Sequence, residues 1–225
     1  MTGADWLSYS LQDFVMFGPQ VFLRLFVRIN QDLWPWQLLA VVVAIGIPVL
    51  FLKPDLRARR LAVGLMAVAW AGSGYGFLVG YFSPINWPAA WFGWAFVAQG
   101  ALLAAAAFFG AVHGQTPQPK QLAVFWLAAV CGLPWLAVAD SGDWQSLALF
   151  GVAPGTTAAT GALVLALVTG PWRWLYLPLL VLWSLFSAAT LWVLQTWWLL
   201  ITPVATLLFV GAGFWFSPRP EQSLD

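Results

Sequence analysis

The sequence predicts an all-α fold: a polytopic membrane helix bundle of about seven transmembrane helices with an N-terminal interfacial helix. Of its 225 residues, 62% are hydrophobic and only 8% are charged, whereas soluble domains have roughly 25% charged residues. Prolines, charges and short polar segments divide the chain into apolar runs of about 20 residues, the length that crosses a bilayer. The predicted spans lie near 33–52, 61–82, 87–109, 121–139, 146–169, 172–194 and 197–216.

The N-terminal arm has the pattern of a helix that lies in the membrane interface. Gln20, Arg24 and Arg28 recur every four residues on an apolar segment that runs from Pro19 to Ile29. Eleven helical residues extend only about 16 Å, so this segment is expected to lie along the surface. The chain is accordingly divided into an outer-face amphipathic arm at 1–32, a transmembrane bundle at 33–216 and a cytoplasmic tail at 217–225.

Orientation is predicted from the basic residues, because short cytoplasmic loops carry an excess of Lys and Arg. Four of the nine Lys and Arg residues lie in the loop between the first two spans: Lys53, Arg57, Arg59 and Arg60. Alternation of the spans then places Lys120, Arg173 and Arg219 on the same side. We therefore expect the N-terminus outside and the C-terminus in the cytoplasm.

Asp, Glu, Lys, Arg and His are missing from the interior of the predicted spans, although proton relays and ion-coupled carriers usually depend on such residues. No acid–base pair suited to catalysis is present, and the lone His113 lies in a loop without a partner that would make a metal site. No basic patch in a soluble segment indicates nucleic-acid binding. The sequence thus predicts a protein with no catalytic residues, no metal, no cofactor and no nucleic-acid partner.

The second span contains the sequence WAGSGYGFLVGYF, in which Gly72, Gly76 and Gly80 recur at every fourth position. Such a stripe of small residues favours close helix packing in lipid. The alternative is that the stripe leaves room for a ligand beside Tyr75, whose hydroxyl needs a partner when buried.

The fifth span is interrupted by FGVAPGTTAATG at 150–161, and a break is predicted at 151–155. Thr156 and Thr157 follow Pro154-Gly155, where a threonine can cap a new helix. A broken helix at membrane depth is either a structural kink or part of a cavity wall. Both interpretations remain open from the sequence.

Ile-Asn followed by Trp-Pro occurs twice, in INQDLWPWQ at 29–37 and in FSPINWPAAW at 82–91. We expect Asn86 to cap the third span, with Pro88 in its first turn, and Asp32 to cap the first span. Asn30 has no assigned local role. The candidate binding residues are those that would form a site if they met on the outer face: Asn30, Tyr75, Asn86, Thr156 and Thr157.

Taken together, these motifs resemble a family of bacterial multispan membrane proteins catalogued only as a domain of unknown function. The matching positions cover most of 11–210 and are Asn30, Trp34, Pro35, Trp70, Tyr75, Phe82, Ile85, Asn86, Phe150, Gly151, Pro154, Thr156 and Thr157. The resemblance implies a common architecture in the bacterial inner membrane and supplies no activity. Some members have His and Cys where this chain has Gly76 and Gly155, so a metal bound there would be absent from this chain.

Three classes of function are compatible with these observations. The favoured one is a structural, assembly or accessory subunit of a membrane complex, with a membrane-protein partner or a second copy in the lipid bilayer. The alternative is a facilitator or binding protein for a small neutral or lipid-like molecule through an outer-facing pocket. An intramembrane enzyme is the least favoured, since Asp140 and Asp143 have no evident partner base.

Overall fold

The computed structural model describes residues 17–113 and 118–218, and this part of the chain is helical, without β-strands. The predicted all-α fold is confirmed. The α-helices are α1 (Pro19–Asp32), α2 (Gln37–Leu52), α3 (Leu56–Gly72), α4 (Pro88–Phe109), α5 (Pro119–Gly132), α6 (Trp135–Ser141), α7 (Pro154–Leu163), α8 (Pro171–Val193) and α9 (Ile201–Trp215). A π-helix at Ser73–Phe82 continues α3, and 3₁₀ turns lie at Trp144–Ser146 and Val164–Ala166. Predictions for 1–16 and 219–225 fall outside the described residues.

Four helical segments of the described chain are long and apolar enough to cross a membrane: Leu56–Phe82, Pro88–Phe109, Pro119–Ser141 and Pro171–Val193. A fifth is added if α1 and α2 are counted as one bent span, and their axes differ by 97°. The predicted number of seven is therefore not confirmed. The α2 helix has 16 residues, α7 has 10 and α9 has 15, so each is short for a bilayer core of about 30 Å.

The α7 helix lies in the centre of the bundle, and nearly all of its residues are buried. Its sequence, PGTTAATGAL, consists mostly of small residues, so neighbouring helices approach it closely. A Cβ atom placed on Gly213 of α9 would lie 2.6 Å from the carbonyl oxygen of Ala162. The break predicted at 151–155 overlaps the loop before α7 at 151–153, where Gly151 has a φ of +74°, whereas Pro154 and Gly155 already belong to α7.

The α3 helix and the π-helix that continues it pack closely on α4, and glycines outside the predicted stripe form this contact. A Cβ atom on Gly74 would lie 2.6 Å from the carbonyl oxygen of Gly93, whereas one on Gly76 would meet nothing within 4 Å. Of the predicted stripe, only Gly72 approaches another segment, where a Cβ would lie 3.3 Å from the carbonyl oxygen of Gly151, so Gly72, Gly76 and Gly80 do not form a common helix-packing surface. The reason is the π-helix, whose i→i+5 hydrogen bonds move every fourth residue off a common face.

Two deeply buried tryptophans differ in their hydrogen bonding. The Trp126 indole donates to the carbonyl oxygen of Ala44 at 2.8 Å. The Trp70 indole nitrogen has no acceptor among the described residues and lies with the Tyr176 hydroxyl against Gly161. An alanine Cβ at Gly161 would be 2.6 Å from Trp70 Nε1, so the missing side chain of Gly161 admits both polar groups.

The two ends of the bundle have different compositions. The end covered by α1 is here called the α1 end, and it also includes the 141–154 loop and the 194–200 loop. Asp140 connects these two loops, because its carboxylate accepts a hydrogen bond from the backbone N–H of Leu199 at 2.8 Å. The opposite end, here called the basic end, contains 53–60, 110–113 and 165–173. There the backbone N–H of His113 donates to the carbonyl oxygen of Leu167 at 2.7 Å.

Candidate functional site

The α1 helix packs its apolar face on the bundle and leaves its charged face exposed, as its pattern predicts. Phe26 stacks on Phe77 of the π-helix with ring centroids 4.8 Å apart, and Phe22 packs against Phe82 at 5.3 Å. The axes of α1 and α2 are nearly perpendicular. Since α2 runs along the axis of the bundle, α1 lies across the end of the bundle and covers it.

Asn30 fastens the C-terminal turn of α1 to the loop that precedes α7. Its amide nitrogen donates to the carbonyl oxygens of Gln145 at 2.8 Å and Leu147 at 2.9 Å. Because both partners are acceptors, they fix the amide orientation and turn the oxygen Oδ1 away from them. Asn30 is 7% exposed, and its Oδ1 is buried without a hydrogen-bond partner among the described residues.

Around this amide lies a cavity of about 170 Å³, here called the polar pocket. It is lined by Asn30, Gln31, Trp34, Gln37, Trp144, Gln145, Leu147 and Leu149. Two buried side-chain oxygens in it lack partners, Asn30 Oδ1 and Gln37 Oε1. A buried carbonyl oxygen without a donor costs about 1–3 kcal/mol, so this pocket is suited to a ligand that donates hydrogen bonds.

A second cavity lies next to the polar pocket, and Gln37 lines both. This groove, here called the α2–α3 groove, has a volume of about 250 Å³. Apart from Gln37, its walls are apolar or glycine: Leu33, Trp36, Leu39, Ala40, Val43, Leu65, Val68, Ala69, Gly72, Phe150, Gly151 and Val152. A cavity with several polar lining residues thus lies beside an apolar groove.

A third cavity, here called the aromatic cleft, lies under α1 between the π-helix and α8, with a volume of about 40 Å³. Six of its lining residues are Phe22, Phe26, Phe77, Phe82, Trp183 and Phe186. Its threonine hydroxyls donate to backbone carbonyls, as Thr156 does to Ala148 at 2.7 Å. The cleft is suited to hydrocarbon and offers little to a polar group.

Thr156 and Thr157, the two threonines after the break, form hydrogen bonds with the backbone of the preceding loop rather than facing a ligand. Thr157 Oγ1 accepts the backbone N–H of Gly151 at 2.9 Å and donates to the carbonyl oxygen of Ala153 at 2.8 Å. Both threonines are fully buried. Only Thr156 lines one of the three cavities, the aromatic cleft.

The five predicted binding residues therefore do not meet in one site. Asn30 lies in the polar pocket, whereas Tyr75 is 61% exposed and packs edge-to-face on Trp94 at 5.9 Å. Asn86 is half-buried, and the expected cap is wrong, because α4 begins after Trp87 without a side-chain cap. Pro88 does occupy the first turn of α4.

Asp32 does not cap the first span either, because α2 begins after Trp36 without a side-chain cap. Its carboxylate instead accepts the Tyr81 hydroxyl at 2.5 Å and lies 3.9 Å from Arg28. This contact ties the end of α1 to the end of the π-helix. The expected cap does not form because α1 ends at Asp32 and α2 begins only at Gln37, so Asp32 is not the residue that precedes α2.

Sequence reasoning missed Gln37, Trp144 and Gln145 as members of the site. Gln37 is the first residue of α2 and a polar side chain in an apolar run, which was a usable signal. Trp144 and Gln145 lie in the loop after α6, and only the packing of that loop against α1 makes them neighbours of Asn30.

The described part of the chain is thus an all-helical bundle of membrane-type helices with a polar pocket beside an apolar groove. Among the described residues, no group of three His, Cys, Asp or Glu side chains is placed to hold a metal ion. The chain belongs to a family of unknown function, DUF6064, whose model matches residues 19–217. No curated protein and no solved structure matches it.

Proposed function

We propose that this protein binds an amphipathic, lipid-like molecule at the α1 end without transforming it chemically. The observation that carries the proposal is the buried Oδ1 of Asn30, unpartnered among the described residues, in a pocket next to the α2–α3 groove, with Gln37 lining both. The polar pocket takes the head of the molecule, and the groove takes its hydrocarbon chain. This choice favours the alternative that the sequence leaves open, a binding protein or facilitator.

The chemistry of the pocket selects a head that donates hydrogen bonds. Asn30 Oδ1 is an acceptor in a fixed orientation, so a hydroxyl or a primary ammonium satisfies it and a carboxylate does not. Trp34 and Trp144 line the same pocket, and tryptophan faces attract cations by roughly 0.5–2 kcal/mol. A lipid with an amino headgroup meets both requirements.

The hydrocarbon chain of such a lipid fits the α2–α3 groove better than the aromatic cleft. The groove shares Gln37 with the polar pocket, while the loop at 145–149 separates the cleft from it. Burial of apolar surface contributes about 25 cal/mol per Å², so a chain seated in the groove stabilises the complex along its whole length.

Filling the groove tests the proposal. The chain, purified in mild detergent, is incubated with phosphatidylethanolamine, and the retained lipid is counted by native mass spectrometry. Ala40→Trp places a large ring in the groove and is expected to reduce retention at least tenfold. Val42→Trp is the matched control, because Val42 is 67% exposed on the same helix and does not line the groove. Equal retention by both variants contradicts the proposal.

Gln37→Leu is a second variant, expected to weaken phosphatidylethanolamine binding because it removes the amide at the junction. Its control is Gln20→Leu, an exposed position on α1. Diacylglycerol keeps a hydroxyl that can donate a hydrogen bond, whereas the anionic head of phosphatidic acid lacks the matching donor. We therefore expect Gln37→Leu to weaken the binding of diacylglycerol more than the binding of phosphatidic acid. Loss of binding in Gln20→Leu to the same degree argues for a general effect on lipid contact.

An accessory subunit of a membrane complex is the second candidate, and the length of α9 favours it. Its 15 residues rise about 22 Å, and Val204, Leu207 and Leu208 are exposed on it. Helices shorter than the bilayer core are accommodated partly by association with other helices. A stoichiometric partner or second copy in the same purification, with no retained lipid, supports this function instead.

The proposed membrane is a bacterial inner membrane, with the α1 end outside and the basic end in the cytoplasm. The support is the segregation of Lys53, Arg57, Arg59, Arg60 and Arg173 to the end opposite α1. A reporter fused after Asp225 is expected to be active only in the cytoplasm. Activity of a periplasmic reporter at that position contradicts this orientation.

A further inference from the structure

Arg59 at the basic end is a buried cation without a counter-charge in the described chain. It is 3% exposed, and its Nε and Nη1 have no hydrogen-bond partner there. The only ion pair among the described residues is the one between Arg28 and Asp32 at the other end of the molecule. No carboxylate in that part of the chain therefore lies within 4.0 Å of Arg59.

Two further arginines at this end are also incompletely paired. Arg173 Nη2 donates to the carbonyl oxygen of Leu165 at 3.0 Å, and its guanidinium lies 5.0 Å from the Phe214 ring centroid. The Nε atoms of Arg60 and Arg173 are buried without partners among the described residues. Arg60 Nη2 lies against Gly110, 2.6 Å from where a Cβ would be.

The pKa of His113 reflects the positive charge of this region. Burial lowers the pKa of His113, and the neighbouring cations Arg173 and Arg59 lower it further. The loop that carries His113 is joined to 167–169, where Thr169 N–H donates to the carbonyl oxygen of Ala111 at 3.0 Å. Arg60 reaches this region at Gly110 and Arg173 reaches it at Leu165, and Arg59 precedes Arg60 on α3.

A group of unpaired cations in this partly buried region destabilises the folded chain by itself. The carbonyl oxygens at the end of α7 offset part of the charge, because a helix C-terminus carries about half a negative charge, and Leu165 O accepts from Arg173. The Leu165 carbonyl does not balance three guanidinium groups, of which Arg59 is buried and Arg60 and Arg173 are half-buried. Buried guanidinium groups are normally paired with carboxylate or phosphate.

We infer that Arg59, Arg60 and Arg173 form an anion site at the basic end that binds a phosphate group. The planar guanidinium matches the oxygens of phosphate with paired N–H donors, and Arg59 offers its Nε and Nη1 for such a pair. The phosphate comes either from the headgroup of an anionic lipid or from inorganic phosphate in solution. This site lies at the end of the bundle opposite the polar pocket and does not depend on the proposed lipid function.

The test measures thermal unfolding of the full chain in neutral detergent, with inorganic phosphate replacing chloride at constant ionic strength. Saturating phosphate is expected to raise Tm by about 5 °C, the shift given by a ligand at roughly 100 times its Kd. Arg59→Gln and Arg173→Gln are expected to reduce that shift to about 1 °C or less. Arg57→Gln, an exposed arginine on the same segment, is the control and retains the shift.

A second measurement identifies the source of the phosphate. Wild-type chain from nanodiscs of phosphatidylcholine with phosphatidylglycerol is examined by native mass spectrometry for retained phosphatidylglycerol. If the wild type retains phosphatidylglycerol and Arg59→Gln does not, the site binds a lipid headgroup. If phosphate raises the Tm of the wild type but no phosphatidylglycerol is retained, the site binds the free anion. In phosphate-free detergent Arg59→Gln is expected to be as stable as the wild type, because it removes an uncompensated charge.

Three results overturn the inference. One is the absence of any response to phosphate and phosphatidylglycerol in the wild type, and another is an equal loss of response in Arg57→Gln. The third concerns residues 219–225, which contain Glu221 and Asp225 and follow the end of α9. If phosphate binds only after these residues are deleted, the acidic tail is the occupant and no external anion is required.

Discussion

Replacement of Gly100 by alanine is expected to destabilise the bundle by about 3 kcal/mol, at the upper end of overpacking effects. The new Cβ would lie 2.6 Å from the carbonyl oxygen of Ala67, 3.2 Å from the backbone nitrogen of Ala71 and 3.3 Å from its Cβ. These atoms belong to the α3 backbone and to a β-carbon, so no flexible side chain can move aside. The helices must separate along their closest contact, and the loss is measured as the free energy of unfolding in detergent.

Gly64→Ala is the matched control for that experiment. Gly64 lies within α3, and a Cβ there meets nothing within 4 Å. Alanine favours helix over glycine by up to about 1 kcal/mol, so this variant is expected to be as stable as the wild type or slightly more stable. A similar loss of stability in both variants contradicts the close contact of α3 with α4.

Replacement of Asn30 by aspartate is expected to destabilise the α1 end by about 3 kcal/mol at pH 7. The change is nearly isosteric, but it removes two donated hydrogen bonds and directs a carboxylate oxygen at the carbonyl oxygens of Gln145 and Leu147. Each buried carbonyl left without a donor costs about 1–3 kcal/mol. The effect is measured by thermal unfolding and by faster hydrogen exchange in α1 and the 144–149 loop.

The pH dependence of the Asn30→Asp variant provides a sharper test. Burial and the two carbonyl oxygens disfavour the ionised carboxylate, so its pKa in the folded state is raised above that in the unfolded state. The protonated form can donate one hydrogen bond, and stability is therefore regained as the pH falls from about 7 towards 4. Gln31→Glu, at an exposed neighbouring position whose amide bonds Gln145 Oε1, is expected to lose less than about 1 kcal/mol. A loss in Asn30→Asp that does not recover at low pH contradicts this account.

Local sequence pattern was sufficient where one segment contains the whole physical cause. The polar stripe of α1 predicted both its exposed and its buried face, because the period of the helix alone sets that division. The proline and glycine before Thr156 predicted where the chain is interrupted, since backbone dihedrals are a local property. Each of these features is specified within about a dozen residues.

The helix caps and the glycine stripe show where local pattern failed. Asn86 has the right chemistry for a cap, yet α4 begins one residue later and uses none. Gly76 and Gly80 are spaced for an α-helix, but this segment is a π-helix. Both errors arise because helix boundaries and helix type respond to packing with neighbouring helices, which no local pattern contains.

The sequence by itself determined that this chain is an all-helical bundle with membrane-type helices and an amphipathic first helix. The apolar composition, the run lengths and the helical period specify these properties directly. The tertiary structure alone decided the site, because Asn30 meets Gln145 and Leu147 across 115 and 117 residues. It also decided which polar atoms lack partners, namely Asn30 Oδ1 at one end and Arg59 at the other. Those atoms depend on long-range contacts, whose formation reflects the packing of the whole bundle.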